Sequence, residues 1–171
     1  GNESFYPCIT IPIYDVQGVP VGLYGRSIHR KKHLYLKGEH KSILNWQALK
    51  VYKEIILTES IIDALSAWRL GVKNVIPLYG TNGLTQAHLA LFAEYRPEEI
   101  ILLLDNDDAG ARAIEPLTEK LKPLGCKISR AELSDGVKDI NDFLTADGSP
   151  EAFQSILDNR QKILSPIAYN L

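Results

Sequence analysis

The chain has 171 residues, 45% hydrophobic and 23% charged, a composition and length that support a buried core and read as soluble and globular. No apolar run approaches the roughly 20 residues of a membrane-spanning helix, and Cys8 and Cys126 form no C-x-x-C pair, which argues against a zinc ribbon and for a reducing, cytoplasmic setting. The net charge of −2 hides a split: residues 26–41 hold six Lys/Arg against Glu39 alone, a segment of +5 that leaves −7 elsewhere and suits an anionic partner on one side and cations on the other.

Residues 5–36 read as β-rich. Ile9–Tyr14 alternates, Asp15-Val16-Gln17-Gly18 supplies turn chemistry, Val19–Arg26 continues as a second strand, and His33–Leu36 forms a third. Gly22 and Gly25 bracket Leu23-Tyr24, as at a bulge. Residues 1–50 are expected to form a small β-rich subdomain. The chain contains no methionine, and Gly1 reads as a cloning scar on a piece of a longer protein.

From Val51 strands alternate with helices. Glu54–Thr58 is a strand that runs into a helix with Ile61, Leu65 and Trp68 at helical spacing. Asn74–Leu78 is a second strand, and Thr85 caps a helix that Pro97 stops. Ile100–Leu104 is an unbroken aliphatic run suited to a strand buried on both faces. A helix over Ala109–Leu121, a fourth strand over Cys126–Ala131, a short helix opened by Asp139 and another from Pro150 to about Leu164 complete the pattern. Such βαβ alternation predicts a four-stranded, mainly parallel sheet flanked by helices. Trp46 and Trp68 are expected in the core, and His88 on the surface.

In a parallel sheet the carboxyl ends of the strands share one edge, where ligands bind. Three polar clusters fall there: Glu59-Ser60 with Asp63, Gly80-Thr81-Asn82-Gly83, and Asp105-Asn106-Asp107. Lys138-Asp139-Ile140-Asn141-Asp142 follows the fourth strand. Crowded carboxylates repel unless protons or a cation sit among them. Oxygen ligands without histidine or cysteine suit Mg²⁺ or Mn²⁺ rather than zinc. The alternative makes Asp105 a turn residue, and Asp108 is expected to be an ordinary helix N-cap.

These motifs, Thr58-Glu59-Ser60-Ile61-Ile62-Asp63, Leu78-Tyr79-Gly80-Thr81, Asp105-Asn106-Asp107-Asp108-Ala109-Gly110 and Lys138-Asp139-Ile140-Asn141-Asp142, together resemble the Toprim domain, most closely that of DnaG-type bacterial and phage primases. Upstream, Ile11-Pro12-Ile13 and Gly22-Leu23-Tyr24-Gly25-Arg26 are similar to the primase segment that precedes Toprim. The resemblance implies an α/β, Toprim-like fold over residues 51–157, with 158–171 as a helix end and tail. It implies Mg²⁺-dependent nucleotidyl transfer, with Glu59, Asp63, Asp105 and Asp107 catalytic and Glu59, Asp105, Asp107 and Asp139 holding metal. Arg26, Arg30, Lys31, Lys32, Lys37, Gly80 and Thr81 would meet nucleic acid or nucleotide. The implied partners are single-stranded DNA template, ribonucleoside triphosphates and, through parts absent from this chain, a replicative helicase.

Departures from the family pattern are Ser60 in place of glycine and Asn141 where cellular primases carry aspartate. The family's zinc-binding module and the first part of its catalytic core are not represented, so the isolated chain is expected to make primers weakly or not at all. The competing expectations are a Toprim nuclease that cleaves phosphodiesters, and a non-catalytic nucleic-acid-binding module.

Overall fold

The alternating strands of the first forty residues and the strand–helix alternation that follows fold as two compact units, residues 1–44 and 45–171, in a computed structural model that describes residues 7–30 and 32–164. In the first unit β1 (Cys8–Tyr14) and β2 (Pro20–Ser27) form an antiparallel hairpin, and β3 (His33–Tyr35) adds to the other edge of β2. Asp15 makes the hairpin turn: its carboxylate accepts the backbone N–H groups of Gln17 and Val19, each at 2.9 Å. The ladder slips between Ile13 and Tyr14, opposite the stretch of β2 that carries Gly22.

The second unit is built on β4 (Glu54–Thr58), β5 (Val75–Pro77), β6 (Glu99–Leu103), β7 (Lys127–Arg130) and β8 (Gln161–Leu164), in the order β5-β4-β6-β7-β8. The first four are parallel and β8 runs antiparallel to β7. The helices are α1 (Ile61–Arg69), α2 (Gln86–Tyr95), α3 (Asp108–Leu121), α4 (Ile140–Thr145) and α5 (Pro150–Asp158). All five residues of β6 are buried, and it pairs with β4 on one side and β7 on the other, which is why Ile100–Leu103 is aliphatic without alternation.

Two expectations about the sheet are corrected. It has five strands rather than four, and the helix from Pro150 stops at Asp158 instead of reaching Leu164. Arg160 turns its guanidinium onto Glu99, and Gln161–Leu164 pairs with the open edge of β7. Tertiary pairing thus overrides a short stretch with no strong local preference.

Two aromatic placements also change. Trp68 is 42% exposed, its ring covered by the Lys73 ammonium at 4.4 Å, whereas Trp46 is buried. His88 is fully buried rather than on the surface. Its Nε2 donates to the Pro77 carbonyl at 3.0 Å, which leaves Nδ1 to accept the Thr85 N–H at 3.1 Å. His88 therefore takes the place of the Glu or Gln of a capping box and ties the start of α2 to the end of β5. Among the described residues no helix is long and apolar enough to cross a membrane.

Candidate functional site

Strands β4 and β6 pair in parallel, with Thr58 beside Leu103, so Glu59 and Asp105 leave the sheet at the same edge. The Glu59 carboxylate accepts the backbone N–H of Asp105. Asp107, not Asp108, caps α3: its Oδ1 accepts the N–H groups of Ala109 at 2.9 Å and Gly110 at 3.0 Å. Asp108 is the first helical residue instead. Gly110 is required by contact, since a Cβ there would lie 2.1 Å from the Asp105 carbonyl oxygen. The glycine lets α3 start directly against the end of β6.

Asp63 comes to the same edge from the first turn of α1. Ser60 caps that helix and its hydroxyl bonds the Asp63 carboxylate, while the N–H groups of Ile140 and Asn141 at the start of α4 reach Asp63 from the other side. Asp139 caps α4 by accepting the Asp142 N–H at 2.7 Å. Asn141 directs its side-chain oxygen at the Ser66 hydroxyl of α1, 3.4 Å away. The loop after β5 is held by the Gly80 N–H, which donates to the Glu59 carbonyl at 3.0 Å. Gly80 adopts a φ of +91°, the left-handed conformation that favours glycine, and Thr81 beside it is half-buried.

The charges at this edge act on one another. Burial, then the charges of Glu59, Asp63 and Asp139, push the Asp105 carboxyl up to about 7. Burial and Asp107 raise Glu59, and burial also raises Asp63. Asp107 goes the other way, because the N–H groups of Gly110 and Ala109 stabilise its anion. Lys138 answers this set at close range: its Nζ stands 3.8 Å from Asp105 Oδ2 and 4.0 Å from Asp107 Oδ2.

The residues expected to hold metal are thus drawn to one edge, yet among the described residues no ready-made group of three His, Cys, Asp or Glu side chains stands as an ion site. Asp107 and Asp139 each commit one oxygen to a helix cap, and Asp63 is bound by Ser60. The chemistry nonetheless fits a hard divalent cation. Glu59, Asp105, Asp107 and Asp139 offer only carboxylate oxygens, and Glu59 Oε2 is buried without a hydrogen-bond partner.

The basic candidates lie in the first unit. Arg26, on β2, bonds His33 Nε2 across the β2–β3 ladder, and His33 Nδ1 reaches the Tyr24 hydroxyl at 2.7 Å. Burial, and then the Arg26 charge, lower the His33 pKa. Arg30, Lys32 and Lys37 are exposed, and Lys31 lies outside the described residues.

Two residues that the sequence quoted in motifs but gave no role also belong to the site. Asn106 turns away from its aspartate neighbours: its N–H donates to the Lys138 carbonyl at 2.6 Å, and its Nδ2 to the carbonyls of Val137 at 3.2 Å and Ser134 at 3.5 Å. Lys138 is the other. No periodicity signals either residue, because their roles depend on the loop after β7 returning to the end of β6.

With this geometry in place, comparisons with known proteins identify the class. Residues 56–144 match the model of the Toprim-like family, and the chain belongs to that family. It is 29% identical over 163 residues to the DNA primase of Borreliella burgdorferi, a match covering 89% of this chain and 30% of that protein. The fold is similar to that of the Aquifex aeolicus primase zinc-binding and RNA polymerase domains, with a TM-score of 0.77, 24% identity, and coverage of 93% of this chain and 41% of that one. A DnaG primase catalytic domain bound to single-stranded DNA gives a TM-score of 0.73 at 24% identity, covering 91% of this chain and 52% of that one. The chain spans about 30% of the length of the curated primases it matches first. It is a relative of the DNA primases with the fold of their RNA polymerase domain.

Proposed function

We propose that this chain is the metal-binding part of a primase-type nucleotidyltransferase that joins ribonucleotides on a single-stranded DNA template. The observation that carries the reading is the edge shared by Glu59, Asp63, Asp105, Asp107 and Asp139, where carboxylates from buried Asp63 to exposed Asp107 crowd together, Lys138 stands near two of them, and Glu59 Oε2 is buried with no hydrogen-bond partner. Relationship to DNA primases over most of the chain supports the choice of reaction.

Glu59, Asp105, Asp107 and Asp139 would hold Mg²⁺ or Mn²⁺. Bound there, a divalent ion would supply Lewis acidity toward an attacking 3′-hydroxyl and toward the charge of a pyrophosphate leaving group. The protein's own residues set the stage. The N–H groups of Gly110 and Ala109 at the α3 N-terminus favour the Asp107 anion and hold its pKa below the usual carboxylate value. Glu59, its pKa raised by burial and by Asp107 and one oxygen unbonded, could accept and return a proton. Asp63 orients rather than reacts: it joins α1 to the start of α4 and so positions Asp139. Gly80 and Thr81 would approach a nucleotide from the loop after β5. In the first unit Arg26, Arg30, Lys31, Lys32 and Lys37 would meet template phosphates.

The test incubates the full-length parent protein with single-stranded template, ribonucleoside triphosphates and Mn²⁺, and in parallel with end-labelled DNA alone. Short RNA products that vanish in Asp105→Asn support the reading. Shortening of the labelled DNA without RNA synthesis makes the protein a nuclease. DNA binding with no turnover by the parent itself, and unchanged when Asp105 and Asp107 are both neutralised, makes it a binding module.

A further inference from the structure

We propose that Lys138 is the resident counter-ion of the acidic edge, its ammonium standing between Asp105 and Asp107 until a divalent cation displaces it into solvent. The inference rests on the metal reading above and concerns what occupies the site before the metal does.

The position of Lys138 is built. Asn106 grips the loop that carries it through bonds from its backbone N–H to the Lys138 carbonyl and from Nδ2 to Val137 and Ser134. Because Asn106 sits between Asp105 and Asp107, the grip fixes Lys138 against the two carboxylates it neutralises. Asp139 then follows as the cap of α4, so cation and next ligand arrive on one loop.

The contact itself is loose. At 3.8 and 4.0 Å the ammonium is shared between the two carboxylates and hydrogen-bonded to neither. The Lys138 side chain is 58% exposed, on a flexible stem with open solvent beside it. A permanent ion pair in this same sheet looks different: Arg160 meets Glu99 at 2.8 Å with its side chain largely covered. Lys138 compensates charge without being locked, which is what a displaceable ion requires.

Displacement has a thermodynamic signature. If Lys138 stabilises only the metal-free protein, deleting its charge must weaken that state and strengthen metal binding by the same amount. Calorimetric titration of Mn²⁺ at fixed pH and salt, paired with thermal melts with and without saturating Mn²⁺, reads both sides. For Lys138→Met we expect Mn²⁺ to bind about three- to fivefold more tightly, the range a partly exposed ion pair supports. The melting temperature of the metal-free protein falls, and the difference from the parent closes at saturating Mn²⁺. Lys138→Arg, which keeps the charge, stays near the parent.

Arg112→Met is the control. Arg112 also acts on Asp107 by charge, from α3, so a general field effect would make the two variants alike. Equal effects overturn the proposal, as does unchanged or weaker Mn²⁺ binding by Lys138→Met. A loss of stability that persists at saturating Mn²⁺ makes Lys138 structural and also overturns it. Absence of Mn²⁺ binding by the parent chain overturns the metal reading, and the displacement with it.

Discussion

Strand β6 has a carboxylate at each end, Glu99 at its start and Asp105 just past its finish, and the two behave oppositely. Glu99 is 4% exposed, and burial alone would raise its pKa, but hydrogen bonds from Arg160, Ser129 and Lys127 hold it down at about 2. Its oxygens meet Arg160 Nε at 2.8 Å, Arg160 Nη2 at 3.0 Å, Ser129 Oγ at 2.6 Å and Lys127 Nζ at 2.9 Å. Asp105 has no such set, and burial among other carboxylates pushes it up to about 7. Burial is common to both ends. What separates the two ends is whether the chain itself supplies the opposite charge.

The largest effect is expected where compensation is complete. Glu99→Gln leaves Arg160 and Lys127 without their anion, a loss of about 3 kcal/mol at pH 7. The folded pKa lies below the usual value of 4.5, so this stabilisation is fully present above about pH 4.5 and fades as pH falls toward 2. Urea denaturation across that range should show parent and variant converging. A pH-independent difference would mean that shape, not charge, matters at this end.

At the other end the tightest geometric constraint is Gly110. Gly110→Ala forces α3 away from the Asp105 carbonyl, at a cost of about 2 kcal/mol, and turns Asp107 away from the edge, so Mn²⁺ binding weakens as well. Wild-type Mn²⁺ affinity in this variant would show that the carboxylates reach the ion without the close helix start.

Charge removal at Asp105 should act opposite in sign to Glu99→Gln. The folded protein holds the Asp105 proton more tightly than the unfolded chain does, so ionisation between about pH 4 and 7 costs stability. Asp105→Asn should be the more stable form at pH 8, by up to about 1 kcal/mol given solvent screening, with the gain vanishing toward pH 4. It should also lose most Mn²⁺ affinity. A variant less stable than the parent at pH 8 would mean the edge is not short of cations.

Much of this contrast was legible in the sequence, and the reasons are local. The aliphatic run Ile100–Leu104 announced a strand buried on both faces, and Thr85 and Asp139 each cap the helix they were expected to open. What was illegible depends on tertiary pairing. Gln161–Leu164 becomes a strand because β7 offers an open edge, and His88 is buried because the Pro77 carbonyl and the Thr85 N–H meet its two ring nitrogens. The shift of the α3 cap from Asp108 to Asp107 came from Gly110, whose approach to Asp105 no periodicity reports. The Glu99 cluster was missed because its partners lie 28, 30 and 61 residues away.

The smallest effect sharpens the comparison at a position that already borders the cation-poor edge. Asn141 carries no charge, directs Oδ1 at Ser66 and gives its N–H to Asp63 at 3.4 Å. Asn141→Asp keeps an acceptor for the Ser66 hydroxyl, so the fold should survive. It adds an anion beside Asp63, whose pKa burial already raises, and the metal-free protein should lose about 0.5 kcal/mol at pH 8. The same charge should favour a bound cation, since affinity at oxygen sites rises with the number of charged ligands, and Mn²⁺ should bind about threefold more tightly. The gain is modest because the Asn141 side chain leans toward α1 rather than toward Asp105. Titration of Mn²⁺ into both forms at fixed pH and salt decides it. Equal or weaker binding by the aspartate form would mean that position 141 serves the α1–α4 contact alone, and that the edge's demand for positive charge ends at Asp63 and Asp139.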